Sequence, residues 1–491
     1  MRFCFKSSSK IKFNATSSEI GDSDLPALQP KIVIVGAGMS GLSAANHLIK
    51  NGFTNVLINE ASDRFGGRVW SRRLRDCICE LGAHCINFSN SSDSLYQLAK
   101  EAGLVHDAIQ ESPKYYVTNK GEIINDQLAI EAKSVFRALI NGSKEKAYSK
   151  NVASSKYFLQ EECKSAAKQI FINQAHIAER LFEAFQKDLA SFIGCDLSMM
   201  SVAHLDKIAQ FYSNPICIKD GLATLFRKIA KNIKMKHVQY GKPITYIRWG
   251  NLQDYESPYV KGPDGLKIIA DHIICTIPLG SLKIFAPTMF DPPLPKSKLD
   301  AIKKLGVGYP GKIFLQYSKD IRRWFKGTIK PLWYPNSQAS QTDWMYDITE
   351  ISLVSGSNSV LEVKVGGSSN EEAERCNDSE VSERATTILK AFLGNENIPH
   401  PQGILRSFWS TDPKFLGGQS YISILSGEHH IQNIAWPLFN ERGTNYPVLL
   451  FAGDATSWDD FGTLEGARRS GVREAQRIIN YHINNFDNGF E

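Results

Sequence analysis

Three glycines, an acid and an arginine between residues 36 and 68 have the types and spacing that hold a phosphate-rich ligand. Gly36, Gly38 and Gly41 form a G-x-G-x-x-G pattern. The first glycine allows a tight turn, the second lets the backbone approach a pyrophosphate, and the third lets a helix pack on a strand. The Glu60 carboxylate can accept hydrogen bonds from ribose hydroxyls, and the planar guanidinium of Arg68 suits phosphate oxygens.

A strand, a turn, a helix and a second strand are needed to position these groups. The apolar run 31–35 leads directly into the glycines, a helical pattern covers 42–51, and a second apolar run at 55–59 ends at Glu60. This context predicts dinucleotide binding. A purely structural glycine turn would leave the acid at the end of the second strand unexplained.

Lys312 is a candidate of another kind. It opens a strand whose next residues are apolar, so its ammonium should lie at the border of a buried sheet. A lysine there is costly unless it has partners or titrates easily. The alternative is an ordinary lysine at a strand end that reaches solvent.

Length, charge and cysteines limit the class of protein. A chain of 491 residues favours two domains, and a net charge of +6 without a clustered basic stretch does not indicate nucleic-acid binding. No run is long and apolar enough to span a bilayer. The nine cysteines are scattered and odd in number, which favours reduced thiols and a cytoplasmic protein. Cys77 and Cys79 have strand spacing, so no metal site is predicted.

The two ends of the chain carry weak signals. Residues 1–29 predict a disordered tail or a weak organellar presequence, because the first eighteen contain four basic residues, several serines and no acid. The last residues do not form a peroxisomal tripeptide of the S-K-L kind.

Patterns between these motifs predict the remaining elements. Residues 69–87 suggest a hairpin followed by a loop, 92–103 a helix, 127–212 a predominantly helical segment, and 236–240 and 270–280 strands. Four aromatic residues could wall a pocket but are more commonly core residues: Trp324, Trp333, Trp344 and Tyr346.

Four further motifs carry a resemblance to a known family. Glu60 to Arg68 reads E-A-x-x-R-x-G-G-R, Ala270 to Gly280 ends in T-I-P-L-G, residues 404–421 contain R-S-F-W-S-T-D-P and G-G-Q-S-Y, and the last motif comprises F-A-G-D-A-T and G-T-L-E-G-A-R-R-S-G. Together they resemble the flavin amine oxidases, nearest the spermine and N1-acetylpolyamine oxidase branch.

The resemblance implies an α/β fold of two domains. A doubly wound FAD-binding domain would be assembled from the separated segments 30–91, 214–300 and 440–485. An α+β substrate domain of mixed sheet and helices would comprise 92–213 and 301–439. The implied reaction oxidises a polyamine (spermine, spermidine or an acetylated form) at a C–N bond. It yields an imine and then an aldehyde plus a shorter amine, with release of hydrogen peroxide from oxygen.

The same resemblance assigns residues. Lys312 would hydrogen-bond a water that faces flavin N5, and Val238 would contact the flavin adenosine through its backbone. The cofactor-binding set is Gly36, Gly38, Met39, Ser40, Gly41, Glu60, Arg68, Gly82, Ala83, His84, Val238, Asp454, Thr463 and Leu464. The substrate set is Asn87, Gln419, Tyr421 and Glu465.

Departures from the family pattern concern mainly the substrate. Cys85 and Asn87 replace an aromatic and a polar residue, and Gln419 stands where related enzymes have an aromatic or a flavin-bonded cysteine. We therefore expect non-covalent FAD. Asp454 shortens the usual glutamate by one methylene, and Glu465 replaces a histidine.

A cationic polyamine needs carboxylates along its path. Glu465, Asp459 and Asp460 are the candidates, although each could equally be solvated surface. Trp458 and Phe461 would restore the lost aromatic walls.

Two other functions compete with polyamine oxidation. A histone lysine demethylase needs a long helical tower and a docking module, for which the chain has no room. An FAD-binding protein with an altered or lost amine site, monoamine-like or non-catalytic, is favoured by Cys85, Asn87 and Gln419. The sequence does not specify the preferred amine, the C–N bond that is cleaved, self-association or processing of the N-terminus.

Overall fold

The structure is a computed structural model. It describes residues 29–89, 91–105, 112–211, 215–250, 257–333, 343–367, 369–439 and 446–487. The predicted N-terminal tail, except for its last residue, and the four C-terminal residues lie outside the described part of the chain.

Twenty-two strands occur in the described residues. They are β1 (Ile32–Val35), β2 (Val56–Asn59), β3 (Ser71–Leu74), β4 (Cys77–Glu80), β5 (Cys85–Asn87), β6 (Lys114–Thr118), β7 (Pro215–Cys217), β8 (Val238–Gln239), β9 (Tyr246–Arg248), β10 (Tyr259–Lys261), β11 (Lys267–Ile269), β12 (His272–Cys275), β13 (Phe290–Asp291), β14 (Gly306–Gly308), β15 (Gly311–Gln316), β16 (Thr328–Leu332), β17 (Ile348–Leu353), β18 (Val360–Val365), β19 (Gly403–Arg406), β20 (Gln419–Tyr421), β21 (Leu438–Phe439) and β22 (Pro447–Phe451).

Fourteen α-helices accompany them in the same residues. They are α1 (Met39–Lys50), α2 (Leu95–Glu101), α3 (Asp126–Ile140), α4 (Ser143–Lys150), α5 (Ser155–Ile170), α6 (Ala175–Ile193), α7 (Val202–Phe211), α8 (Ala223–Ile229), α9 (Leu279–Met289), α10 (Lys296–Lys304), α11 (Asn370–Arg375), α12 (Asp378–Leu393), α13 (Glu428–Ala435) and α14 (Leu464–Asp487).

The first six-stranded sheet has the order β21-β22-β12-β1-β2-β8. Its central strand β1 is wholly apolar and buried, and it pairs in parallel with β2 and β12. A short strand that is apolar on both faces suits the middle of a parallel sheet covered by helices. Helices α1 and α14 pack together against this sheet. The first and last segments of the chain therefore meet there.

The second six-stranded sheet has the order β19-β15-β18-β17-β16-β6. Its neighbours are antiparallel except for β6, which pairs in parallel with β16. The sheet is therefore mixed, as the family resemblance implies. Its apolar side packs against α12.

A helical layer formed by α3 to α7 lies beside the second sheet. The amphipathic stripe of α6 buries Leu181 and Phe185, and Phe182 and Phe136 complete an aromatic core between α6 and α3. This confirms the predicted helical segment. The α/β class, with one doubly wound sheet and one mixed sheet, is also confirmed.

Several predicted element boundaries are wrong. The 236–240 strand is reduced to β8, because residues 235–237 form a 3₁₀ turn whose His237 ring is hydrogen-bonded to the Val56 carbonyl at 2.8 Å. Helix α2 begins only after Ser94, whose hydroxyl accepts from the Gln97 amide. In the predicted 69–87 hairpin, β3 and β4 pair with each other, but β5 pairs with β7.

Gly41 is predicted to be required for folding. A Cβ there would lie 2.0 Å from the Gly36 carbonyl oxygen, so Gly41→Ala must push α1 away from β1. We expect it to lower the free energy of unfolding by about 2 kcal/mol or more, as overpacked sites do. Urea denaturation measures this. Gly427→Ala is the control, because its Cβ would meet no atom closer than 3.7 Å; an equal loss there would contradict the packing argument.

Candidate active site

A cavity of about 1700 Å³ joins the two large sheets. It begins at the glycine turn after β1, passes the loop 81–84 and Lys312, and continues along β16, β17 and β18 of the second sheet. Groups from both sheets can therefore contact a molecule bound in this cavity.

The β1–α1 turn has the geometry of a pyrophosphate cradle. The Gly36 amide donates to the Asn59 carbonyl at 2.8 Å, which holds the turn against β2. The Cβ of an alanine at residue 38 would come no closer than 4.0 Å to any other atom, and that atom is the Cα of Gly67. Two backbone segments without side chains thus face the same space, beside the N-terminus of α1.

Glu60 organises this cradle as well as facing it. One carboxylate oxygen accepts from the Ala37 amide at 2.7 Å, and the other accepts from the Ser62 amide at 2.7 Å. The side chain is buried, yet it lines the cavity. Carboxylate oxygens have further lone pairs, so Glu60 can also accept from ribose hydroxyls.

Arg68 and Asp454 join the first and last segments of the chain. Their closest nitrogen and oxygen atoms are 2.5 Å apart, and Arg68 also donates to the Gly418 carbonyl at 3.1 Å. Burial alone would raise the pKa of Asp454, but the charge of Arg68 and its hydrogen bond lower that pKa below the ordinary value. Although aspartate is one methylene shorter than glutamate, Asp454 contacts Arg68 directly.

Lys312 is held by partners from two parts of the fold: the segment 80–82 and strand β18. Its Nζ donates to the carbonyls of Glu80 at 2.9 Å and Gly82 at 3.0 Å, and lies 3.4 Å from a Glu362 oxygen. Its side chain is only 11% exposed. Lys312 is therefore not a strand-end lysine that reaches solvent. Its ammonium holds the start of the loop 81–84, whose residues Gly82, Ala83 and His84 the resemblance assigns to the cofactor.

His84 follows that loop and lines the same part of the cavity. The positive charge of Lys312 and then burial hold its pKa well below the ordinary value. The imidazole is therefore neutral at physiological pH and can both donate and accept a hydrogen bond.

A row of charged side chains covers the cavity face of the second sheet. Lys364 pairs across strands with Lys312 on β15 and with Glu350 on β17. The Glu350 carboxylate oxygens lie 2.8 Å from Lys364 Nζ and 2.8 Å from Lys330 Nζ. Lys330 Nζ also lies 2.7 Å from a carboxylate oxygen of Asp188 on α6.

These groups stay ionised despite burial. Burial disfavours the charge on each, but the opposite charges raise the pKa of Lys330 and Lys364 and lower that of Glu350. None of the sequence motifs described above predicts this row of charges. The signal is in β18, where Glu362 and Lys364 alternate with apolar residues and so share one face of the strand.

The predicted substrate residues do not all reach the cavity. Asn87, Gln419 and Glu465 line it, but Tyr421 does not, because its ring packs against Gly306 in the core. Glu465 is occupied, since it accepts from the Leu95 amide at 2.7 Å and from two arginines.

The other proposed substrate groups divide in the same way. Asp460 lines the cavity but pairs with Arg469 at 3.0 Å, whereas Asp459 is exposed and does not line it. Phe461 lines the cavity. Trp458 does not line the cavity, and Lys207 Nζ lies 4.1 Å from its ring centroid.

Most residues of the predicted cofactor set line the cavity. Those that do are Gly36, Gly38, Met39, Ser40, Glu60, Arg68, Gly82, Ala83, His84, Asp454, Thr463 and Leu464. Gly41 instead lies where α1 packs on β1, and Val238 lies in β8 beside β2. The four aromatic residues of 324–346 belong to the core, with Trp344 fully buried, so they do not form a cavity wall.

The donors present fit an FAD molecule. The glycine cradle, the Glu60 carboxylate and the start of α14 at Leu464 lie around one continuous space. Gln419, which lines the same space, carries no thiol and so cannot bond a flavin through sulfur. Among the described residues no cluster of three or more His, Cys, Asp or Glu side chains could hold a metal, and no described helix is long and apolar enough to cross a membrane.

Comparisons with known proteins agree with this geometry. The family model of flavin-containing amine oxidoreductases matches residues 39–479. The chain is 38% identical to protein anon-37Cs of Drosophila melanogaster over 98% of both chains. It is 28% identical to the human peroxisomal N(1)-acetyl-spermine/spermidine oxidase, over 92% of this chain and 95% of that protein. A structure of putrescine oxidase bound to putrescine has the same fold, with a TM-score of 0.70, 19% identity, and coverage of 93% of this chain and 100% of that one.

Gly38→Ala should separate cofactor binding from folding. The protein itself has room for this Cβ, because its nearest neighbour is 4.0 Å away, so the free energy of unfolding of the FAD-free protein should change by less than about 1 kcal/mol. The methyl group would occupy the space needed by the pyrophosphate, and FAD affinity should fall at least about tenfold. Fluorescence titration of FAD-free protein measures the affinity; unchanged affinity would contradict the cradle.

Asp454→Asn should change the acid sensitivity of the protein. The folded pKa of Asp454 lies below its ordinary value, so its ion pair stabilises the fold above that ordinary pKa and is lost as pH falls through the folded value. We expect Asp454→Asn to be less stable than the parent by about 1–3 kcal/mol at pH 7, with the gap narrowing on acidification. Urea denaturation from pH 7 to pH 3 measures it, and a gap independent of pH would contradict the assignment.

Proposed function

Because the chain belongs to the flavin-containing amine oxidoreductases, we propose that it is an FAD-dependent oxidase of a polyamine chain: spermine, spermidine or an acetylated form. The observation that supports this proposal is one cavity that extends from the glycine cradle past Lys312 along the second sheet. When bound, FAD accepts a hydride equivalent from the carbon beside the amine nitrogen and passes the electrons to oxygen, which gives hydrogen peroxide. The imine product hydrolyses to an aldehyde and a shorter amine.

The chain's own residues supply position and charge in this proposal. Lys312 is fixed by the carbonyls of Glu80 and Gly82 and would hold a water beside bound FAD, while neutral His84 would offer hydrogen bonds without added charge. The N-terminus of α14, at Thr463 and Leu464, would help to hold the FAD and would offer partial positive charge to the negative charge that it gains on reduction.

Domain division and compartment belong to the same proposal. We retain an FAD-binding domain of 30–91, 214–300 and 440–485, and a substrate domain of 92–213 and 301–439. The support is that each large sheet draws almost all of its strands from one of these sets. We also propose a cytoplasmic enzyme that holds FAD non-covalently, with an amine and oxygen as its small-molecule partners. The free thiols of all described cysteines support that compartment.

Altered amine specificity is the second candidate. It is favoured by the pairing of Glu465, Asp460 and Glu350 with arginine or lysine, since a fully protonated polyamine would have to compete with these internal cations. Within the proposed class this favours acetylated over free polyamines.

Anaerobic spectroscopy tests the proposed function. The purified protein should be yellow, and spermine, acetylspermine or a monoamine should bleach its flavin band in the absence of oxygen. A yellow protein that none of these amines bleaches would contradict the proposal and support a non-catalytic FAD-binding protein.

Lys312→Met extends the same experiment. Loss of the ammonium should slow bleaching or reoxidation at least about tenfold, because the positioned water is lost. Lys319→Met is the control, since Lys319 is exposed and outside the cavity. Equal rates in the two variants would exclude a role for Lys312 in the reaction.

A further inference from the structure

The far end of the cavity, beyond Lys330, is bordered by two basic residues of α3. Lys133 and Arg137 are one helical turn apart, so their side chains lie on the same side of α3, and both line the cavity. Lys133 is partly buried and Arg137 is exposed. They lie at the end of the cavity opposite the glycine cradle.

The neighbouring charges give this end an excess of positive charge. Within the described residues neither Lys133 nor Arg137 makes a side-chain hydrogen bond or salt bridge, and the nearby carboxylate of Asp188 is 2.7 Å from Lys330. Burial first, and then the charges of Lys114 and Lys330, lower the pKa of Lys133 to about 8. A bound anion would offset this unfavourable environment.

The sheet wall offers little to a polycation. Its carboxylates Glu350 and Glu362 each lie within salt-bridge distance of a lysine on the same sheet. The wall is therefore charge-compensated, and the basic end decides which remote group is preferred.

We propose that Lys133 and Arg137 bind an anionic group of the substrate, so that the substrate is an amine with a carboxylate at the end remote from the oxidised nitrogen. This inference rests on the proposed amine oxidation and specifies its substrate class. The fork of an arginine binds a carboxylate through two parallel hydrogen bonds, and a lysine adds a third donor.

The sheet sets the length of such a substrate. Lys312, Lys364, Glu350 and Lys330 lie on four adjacent strands. Strands are about 4.8 Å apart, so roughly 14 Å separates the backbone at Lys312 from that at Lys330. A short amino acid does not span this distance, whereas a polyamine acylated with a dicarboxylic acid does.

The test compares N-succinylspermidine with its methyl ester, which has nearly the same length but no carboxylate. With the FAD-loaded protein, the acid should show a kcat/KM about tenfold higher than the ester. The double variant Lys133→Met, Arg137→Met should remove this preference by lowering kcat/KM for the acid to about that for the ester. Lys146→Met on α4 is exposed and outside the cavity, and should retain the preference.

A charge reversal gives a second, independent measurement. Lys133→Glu should lower kcat/KM for the acid and raise it for free spermidine, which a purely structural role would not do. Equal kcat/KM for acid and ester in the parent protein, or an undiminished preference in the double variant, would overturn the proposal.

Calorimetric titration separates failure of the anion site from failure of the proposed function. If the acid binds more tightly than the ester but neither bleaches the flavin, the amine oxidase proposal fails and the anion site stands. If both bleach the flavin and bind equally, the anion site alone fails.

Discussion

The ammonium of Lys312 is the interaction on which the arrangement of the site depends. Its side chain starts from β15 of the mixed sheet and donates to the carbonyls of Glu80, at the end of β4, and of Gly82, in the loop that follows β4. A buried ammonium without partners is strongly disfavoured, so the fold is held in the one arrangement that brings those carbonyls and Glu362 together. The same contact fixes where His84 can lie and keeps its imidazole neutral.

The charges of the cavity wall extend this constraint along the sheet. Each buried lysine on the wall requires a carboxylate, and each carboxylate is shared or bounded by lysines, so the wall is internally compensated. Because the carboxylates of this wall are paired with lysines, they are not free to bind a polycation. Under the proposed function, an extended substrate would lie along this fixed pattern of donors, and its specificity would be decided at the two ends. At the cofactor end of the cavity, Arg68 and Asp454 likewise pair a cation with a carboxylate.

The residues expected to bind the cofactor lie in contiguous motifs of the sequence, and most of them line one cavity. The glycine turn, Glu60 and the start of the last helix are each readable from a few neighbouring residues. The same local patterns could not predict contacts between residues that are distant in the sequence. Glu465 looked available to a substrate because its contact with the Leu95 amide spans the fold, and Tyr421 looked like a cavity residue because its packing on Gly306 depends on strand pairing. Predicting the charged row would require the pairing register of four strands. The sequence shows only which residues share a face within each strand.

A crystal structure of the protein purified with its flavin would show whether the ring lies beside Lys312. We expect isoalloxazine density between the loop 82–84 and the start of α14, with an ordered water within about 3 Å of Lys312 Nζ on the ring side. A ring bound elsewhere in the cavity, or a Lys312 side chain that leaves the carbonyls of Glu80 and Gly82 to face solvent, would contradict it.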